Sequence, residues 1–106
     1  MEMGAARAES LLSLLANRHR LMVMCYLIDG EKTVGDLLAR GNLSQSALSQ
    51  HLSKLREAQL VTTRRDGQRI HYSIASDEAQ ALIELLCDLY KPSHLEPGLL
   101  PPGQLT

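Results

Sequence analysis

Residues 43–60 read LSQSALSQHLSKLREAQL, and this stretch decides the fold. Leu48, Leu52 and Leu55 recur at spacings of four and three, which places one apolar stripe on a helix. Ser44 stands ahead of that stripe as a good N-cap, because its hydroxyl accepts a backbone N–H that a first helical turn leaves unpaired. The other faces carry Gln45, Ser46, Ser49, Gln50, His51 and Lys54. These are mostly hydroxyl and amide side chains, not the Glu/Lys mixture of an ordinary solvated helix. Hydroxyls and amides can read base edges, and a lysine can meet a phosphate. The stretch reads as a DNA recognition helix.

Upstream, Thr33 caps a short helix over residues 34–40, VGDLLAR, with Val34, Leu37 and Leu38 inward. Gly41-Asn42 makes a tight turn into the recognition helix. Helix, short glycine-containing turn, helix is the helix-turn-helix arrangement. Residues 5–16 read as a first helix, with Leu11, Leu12 and Leu15 on one side. Asn17 caps a second helix over about 18–29, where Leu21, Met24, Cys25 and Ile28 form a stripe and most other positions are also apolar. Such a helix is expected to be buried nearly all round, and Asp29-Gly30 breaks it.

Downstream, two β-like runs, 60–65 and 68–74, flank Asp66-Gly67, a strong hairpin signal. Arg64, Arg65 and Arg69 crowd its tip. A basic hairpin directly after a recognition helix reads as a wing that holds the DNA backbone; the bland alternative is a solvated hairpin. Ser76 or Asp77 caps a last helix running to about Tyr90. Leu82, Leu86 and Leu89 make one stripe on it, and Ile83, Cys87 and Tyr90 a neighbouring one. Pro92 ends it, since proline lacks the N–H that would continue the ladder. The expected fold is mainly α with a small β-hairpin, a winged helix-turn-helix. Residues 1–91 form one DNA-binding and dimerisation domain, and residues 92–106, rich in proline and glycine, a flexible tail.

A chain of 106 residues suffices for one core, but it has no Phe or Trp, so that core is built from Leu, Ile, Val, Met and Ala. A small Leu-rich helical domain often completes its core by dimerising. The net charge of −1 argues against a nucleic-acid binder, yet the distribution argues the other way. Residues 44–72 hold five basic residues against two acids, and residues 77–96 hold five acids against one lysine. Local charge sets the field at a DNA-facing surface. No apolar run approaches the ~18 residues of a membrane span, and residues 1–10, MEMGAARAES, lack the long apolar core of a signal peptide. A cytoplasmic protein is expected.

Three stretches, LLANRHRLMVMCYLIDGEKTVGDLL, LSQSALSQHLSKLREAQLVTTRRDGQRIHYSI and IELLCDLY, resemble the ArsR/SmtB family of bacterial winged-helix repressors over about residues 8–91. The likeness is greatest to the thiol- and persulfide-sensing branch that includes BigR, SqrR, YgaV and HlyU. The resemblance implies a homodimer built from the first and last helices. Its two recognition helices would enter successive major grooves of an imperfect inverted repeat in double-stranded operator DNA, roughly 34 Å apart.

Metal-sensing members carry a cysteine motif at the short helix before the recognition helix, or Asp and His on the last helix. Here TVGDLLARGN has no cysteine, Asp77 has no His two residues on, and His94 and Glu96 fall past Pro92. No metal and no cofactor are expected, and His19, His51, His71 and His94 read as surface or hydrogen-bonding residues. The resemblance leaves a cysteine pair. Cys25 matches the second-helix cysteine of the thiol branch. Its partner in that branch stands where this chain has Lys91, and Cys87 lies four residues earlier, about 6 Å along a helix and near the same face. That predicts a site displaced by about one turn. A direct disulfide needs Cα atoms within about 7 Å, whereas a bridge with extra sulfur atoms tolerates more. The alternative is that both thiols simply fill an apolar interior. Arg18 or Arg20 would lower the Cys25 pKa where they approach it, and Asp88 disfavours a thiolate at Cys87.

A further departure is Gln59, where the family commonly has glycine. A left-handed C′ residue there carries about 1 kcal/mol of strain unless the helix ends differently. The expected function is a homodimeric transcriptional regulator, a repressor released from its operator when a small oxidant or reactive sulfur species modifies Cys25 and Cys87. The expected DNA contacts are Ser44, Gln45, Ser46, Ser49, Gln50 and His51 at base edges or nearby phosphates. Lys54, Arg64, Arg65 and Arg69 would hold the backbone. A constitutive or anti-repressor regulator with structural cysteines, and a protein–protein adaptor, are the alternatives. With no Gly-rich phosphate loop, paired acid/base set or nucleophile elbow, an enzyme is not expected.

Overall fold

The computed structural model describes residues 2–90. Helices α1 (Glu2–Leu15), α2 (Arg18–Leu27), α3 (Val34–Arg40), α4 (Gln45–Glu57) and α5 (Asp77–Leu89) combine with strands β1 (Lys32–Thr33), β2 (Val61–Asp66) and β3 (Arg69–Ile74). The expected winged helix-turn-helix is present. The expected tail, and with it Lys91, Pro92, His94 and Glu96, lies outside the described residues.

The starts of α2, α3, α4 and α5 each have a chemical cause. Asn17 Oδ1 accepts the backbone N–H groups of His19 and Arg20, both at 3.0 Å. Thr33 and Asp36 form a reciprocal capping box at α3. Ser44 Oγ accepts the Ala47 N–H at 3.1 Å, and Ser76 Oγ does the same for Ala79. Of the two candidate caps for the last helix, Ser76 is the cap, and Asp77 sits in the first turn, where a negative charge suits the helix dipole.

The core joins Leu15 of α1, Val23, Met24 and Leu27 of α2, Leu37 of α3, Leu48, Leu52 and Leu55 of α4, Leu60 and Val61 at the start of β2, and Ala79 and Ile83 of α5. Met24, Leu55 and Ile83 are the largest fully sealed side chains. The α4 stripe is therefore the expected one. Helix α2 is not buried nearly all round: Arg18 and Met22 are exposed. Leu12, Leu89 and Tyr90, placed on apolar stripes by their spacing, are more than half exposed at 56%, 51% and 57%. Met3, Leu12, Leu85, Leu89 and Tyr90 leave the α1 and α5 surfaces apolar in the isolated chain.

Two boundaries move outward or inward relative to expectation: α1 starts at Glu2 and α2 ends at Leu27. The hairpin gains a third strand, in the order β1-β3-β2. Lys32 pairs with Tyr72 and Thr33 with His71, antiparallel. A two-residue strand is too short for alternation to announce it. Asp66 pairs with Arg69, so the hairpin loop is Gly67-Gln68, shifted by one from Asp66-Gly67. Gly67 adopts φ +63, which a first loop position of a tight hairpin asks of glycine.

Candidate nucleic-acid interface and thiol pair

Packing Leu48, Leu52 and Leu55 inward turns the rest of α4 outward. Gln45, Ser46, Ser49, Gln50 and Lys54 are all exposed, at the surface left free by α2 and α3. Ser44 is exposed too, but its Oγ is occupied as the N-cap acceptor. His51 differs from its neighbours. It is half-buried, its Nδ1 lies 3.3 Å from Arg20 Nη1, and its ring centroid is 5.6 Å from that of His19. Burial first, then the charges of Arg20, His19 and Lys54, hold its pKa below the ordinary histidine value.

The wing arginines separate into two kinds. Arg65 and Arg69 are exposed near the tip, paired in register with Ile70 and Asp66. Arg64 sits farther back, opposite His71, so it does not crowd the tip as expected. Its Nε and Nη2 donate to the two carboxylate oxygens of Glu31 at 3.2 and 2.5 Å. The Arg64 hydrogen bonds hold the Glu31 carboxyl below the usual range, and Glu31 in turn raises the Arg64 pKa. His71 Nδ1 lies 3.9 Å from the same carboxylate, while its Nε2 is buried without a hydrogen-bond partner. Glu31, just past the glycine break, gave no signal in the sequence, because nothing local connects it to a strand 33 residues away.

The cysteines meet directly. The Sγ atoms of Cys25 on α2 and Cys87 on α5 are 2.7 Å apart, both half-buried at the helix–helix contact. The one-turn displacement expected from the sequence does not separate them. A disulfide of about 2.05 Å needs less than 1 Å of further approach. Burial, followed by the hydrogen bond and charge of Cys87, pushes the Cys25 thiol up to about 12. Arg20, one of the two cations that would lower it on close approach, is turned elsewhere: its Nε donates to the Leu14 carbonyl at 2.6 Å and its Nη1 faces His51. No group of three or more potential metal ligands occurs among the described residues. No helix there is long and apolar enough to cross a membrane.

A helix-turn-helix with a free polar face, followed by a hairpin with arginines near its tip, defines a winged-helix DNA-binding regulator. The sequence pattern of the bacterial regulatory protein, arsR family, matches residues 17–63, from the α2 cap to mid β2. The transcriptional activator HlyU of Vibrio cholerae is 50% identical over 85% of this chain and 83% of its own. The biofilm growth-associated repressor of Agrobacterium fabrum is 44% identical over 85% of this chain and 77% of its own. The solved structure of reduced Vibrio cholerae HlyU superposes with a TM-score of 0.82, covering 85% of this chain and 95% of that one at 50% identity. The chain belongs to the ArsR family of DNA-binding transcriptional regulators. Proteins of that family are regulators, not enzymes.

Proposed function

We propose that this protein is a homodimeric repressor whose grip on operator DNA is released by oxidation or sulfuration of Cys25 and Cys87. The observation that carries the reading is the 2.7 Å approach of the two sulfurs across the α2–α5 contact. Helix α5, with α1, offers the apolar surface for the second copy. Helix α2 packs against the recognition helix α4 through the shared core. A covalent tie between α2 and α5 therefore joins the dimer-forming part to the DNA-reading part. The two recognition helices must reach both half-sites at once, so a small change in their separation costs most of the bivalent affinity.

The chemistry balances with either reagent class. With a hydroperoxide, one thiolate attacks the outer oxygen and becomes a sulfenic acid, releasing an alcohol or water. The second thiol then displaces water and closes the disulfide. With a persulfide, one thiolate takes the outer sulfur and releases a thiol. The second then attacks the protein-bound inner sulfur and expels hydrogen sulfide. In each case two electrons leave the cysteine pair and two protons leave with the products.

Gel-shift titration of a duplex inverted repeat tests the reading. The reduced protein binds, the treated protein binds at least about tenfold more weakly, and Cys25→Ser and Cys87→Ser lose the response. A Cys25→Ser protein that still responds like the parent would overturn the switch. An anti-repressor reading has one point in its favour, since a protein half identical to this chain bears the name of an activator. Deleting the gene separates them: target expression rises for a repressor and falls for an anti-repressor.

A further inference from the structure

We propose that Arg20 is a positioning residue that locks His51 into a single tautomer, so that the recognition helix presents one ring donor, Nε2–H, to DNA. The proposal rests on DNA being read by α4, and it adds a role for a residue outside that helix.

The argument is one of donors and acceptors. A guanidinium has only donors, so a ring nitrogen 3.3 Å from Arg20 Nη1 serves as an acceptor. His51 Nδ1 is therefore unprotonated. A neutral imidazole carries one proton, which then resides on Nε2. The guanidinium is itself anchored. Its Nε donates to the Leu14 carbonyl at the end of α1, at 2.6 Å, and the Arg20 backbone N–H is held by Asn17. Arg20 thus spans from the end of α1 to the flank of α4. His51 Nε2 has no hydrogen-bond partner among the described residues and is not one of their sealed unpartnered atoms, which leaves its proton for the DNA in this proposal.

The groups facing the ring are Arg20 and His19 from α2 and Lys54 from α4 itself. They favour the neutral ring, as does its partial burial. Lys54 stands three residues on, along the same flank, where a cation meets phosphate. A neutral N–H donor beside it suits an acceptor such as guanine N7 or O6, or a phosphate oxygen. A second proton on the ring would set donor against donor at Nδ1 and release Arg20. Acidification should then erode the preference for operator over random DNA without weakening random-sequence binding.

Nitrogen-15 NMR of the full-length protein at pH 7.5 tests the tautomer directly. The expected spectrum has an acceptor-type Nδ1 and a protonated Nε2 at His51. Arg20→Gln should give an averaged, mixed-tautomer signal. A protonated Nδ1 in the parent protein, or an Arg20→Gln spectrum like the parent's, overturns the proposal. The role at DNA is tested by two replacements of His51. Asparagine keeps a polar atom near the Nδ1 position, and glutamine puts one near Nε2. His51→Gln should bind operator at least about fivefold tighter than His51→Asn, the low end of one base-edge hydrogen bond. Equal affinities sink the tautomer proposal and leave DNA recognition standing. Failure of the parent protein to bind operator sinks both.

Discussion

Cys25 and Cys87 touch sulfur to sulfur at 2.7 Å although 62 residues separate them in the chain. The contact brings the α2 helix, which supports the recognition helix, against α5, which carries much of the exposed apolar surface. A bond there would alter little locally, because the atoms are already almost in place. The consequence has to be sought in the relative placement of helices. The disulfide form should therefore keep the far-ultraviolet circular dichroism of the reduced form while losing operator affinity. A large loss of helix on oxidation would instead point to unfolding as the cause.

The Cys25 thiol gives a second prediction. With its pKa pushed up to about 12, the thiolate is a minor species at neutral pH. Alkylation of Cys25 by iodoacetamide should accelerate steadily with pH through 10, with no plateau near the ordinary thiol value. Stability should follow the same linkage. In the folded state the thiol keeps its proton above the pH at which the unfolded thiol ionises. This contribution is complete below about pH 8.5 and is lost between there and pH 12. Cys25→Ser removes that part of the alkaline slope, measured by urea titration at pH 8 and pH 10. An unchanged slope would show that burial does not hold the proton.

The wing arginines are not equivalent. Arg65→Ala and Arg69→Ala should each weaken binding to operator and random DNA alike and reduce the salt slope by about one. Arg64→Ala should change the slope less, because Glu31 already shares its charge. Glu31→Gln should raise nonspecific affinity by freeing Arg64. If Arg64→Ala proves as damaging as Arg65→Ala, the Glu31 pair opens on DNA. By contrast, Gln50→Ala should cost about 1–3 kcal/mol on operator and little on random DNA.

The helix-turn-helix was legible because every signal for it is local. Asn17, Thr33, Ser44 and Ser76 each cap a helix within three residues, and Leu48, Leu52 and Leu55 carry their period within a single helix. What escaped the sequence depends on distant partners. Strand β1 exists only because β3 lies beside it, 38 residues on at Thr33 and His71. The Arg20–His51 and Glu31–Arg64 pairs join elements whose adjacency no spacing rule encodes. The cysteine contact lay between these cases. Helical geometry put Cys87 near the right face, but only the packing of α2 on α5 sets the distance.

The apolar surface of α1 and α5 predicts association. Leu85 and Leu89 stand one turn apart on α5, 54% and 51% exposed, and Leu12 of α1 is 56% exposed. In a two-fold dimer each substitution counts twice. Leu89→Asp should cost roughly 4 kcal/mol of dimerisation, about a thousandfold in dimer Kd. Analytical ultracentrifugation should show monomer at micromolar concentration, and operator affinity should fall with it. A Leu89→Asp protein that stays dimeric places the interface elsewhere.

Gln59 is the one non-glycine residue with positive φ among the described residues, at +63. It ends the recognition helix in a paired arrangement: its N–H donates to the Arg56 carbonyl at 2.9 Å, and the Leu60 N–H donates to the Leu55 carbonyl at 3.0 Å. Leu55 and Leu60 are both buried, so the turn is stapled by apolar packing as well as by hydrogen bonds. That packing enforces a conformation which a residue with a Cβ resists by about 1 kcal/mol. Gln59→Gly should relieve it, since the hydrogen bonds are all backbone and glycine enters this region freely. The expected gain of about 1 kcal/mol corresponds to a Tm rise of about 5 °C for a domain of this size. Operator affinity should stay within about twofold, because Gln59 lies beyond the polar face of α4. A Tm unchanged or lowered by the substitution would mean that the Gln59 side chain makes stabilising contacts that outweigh its backbone strain.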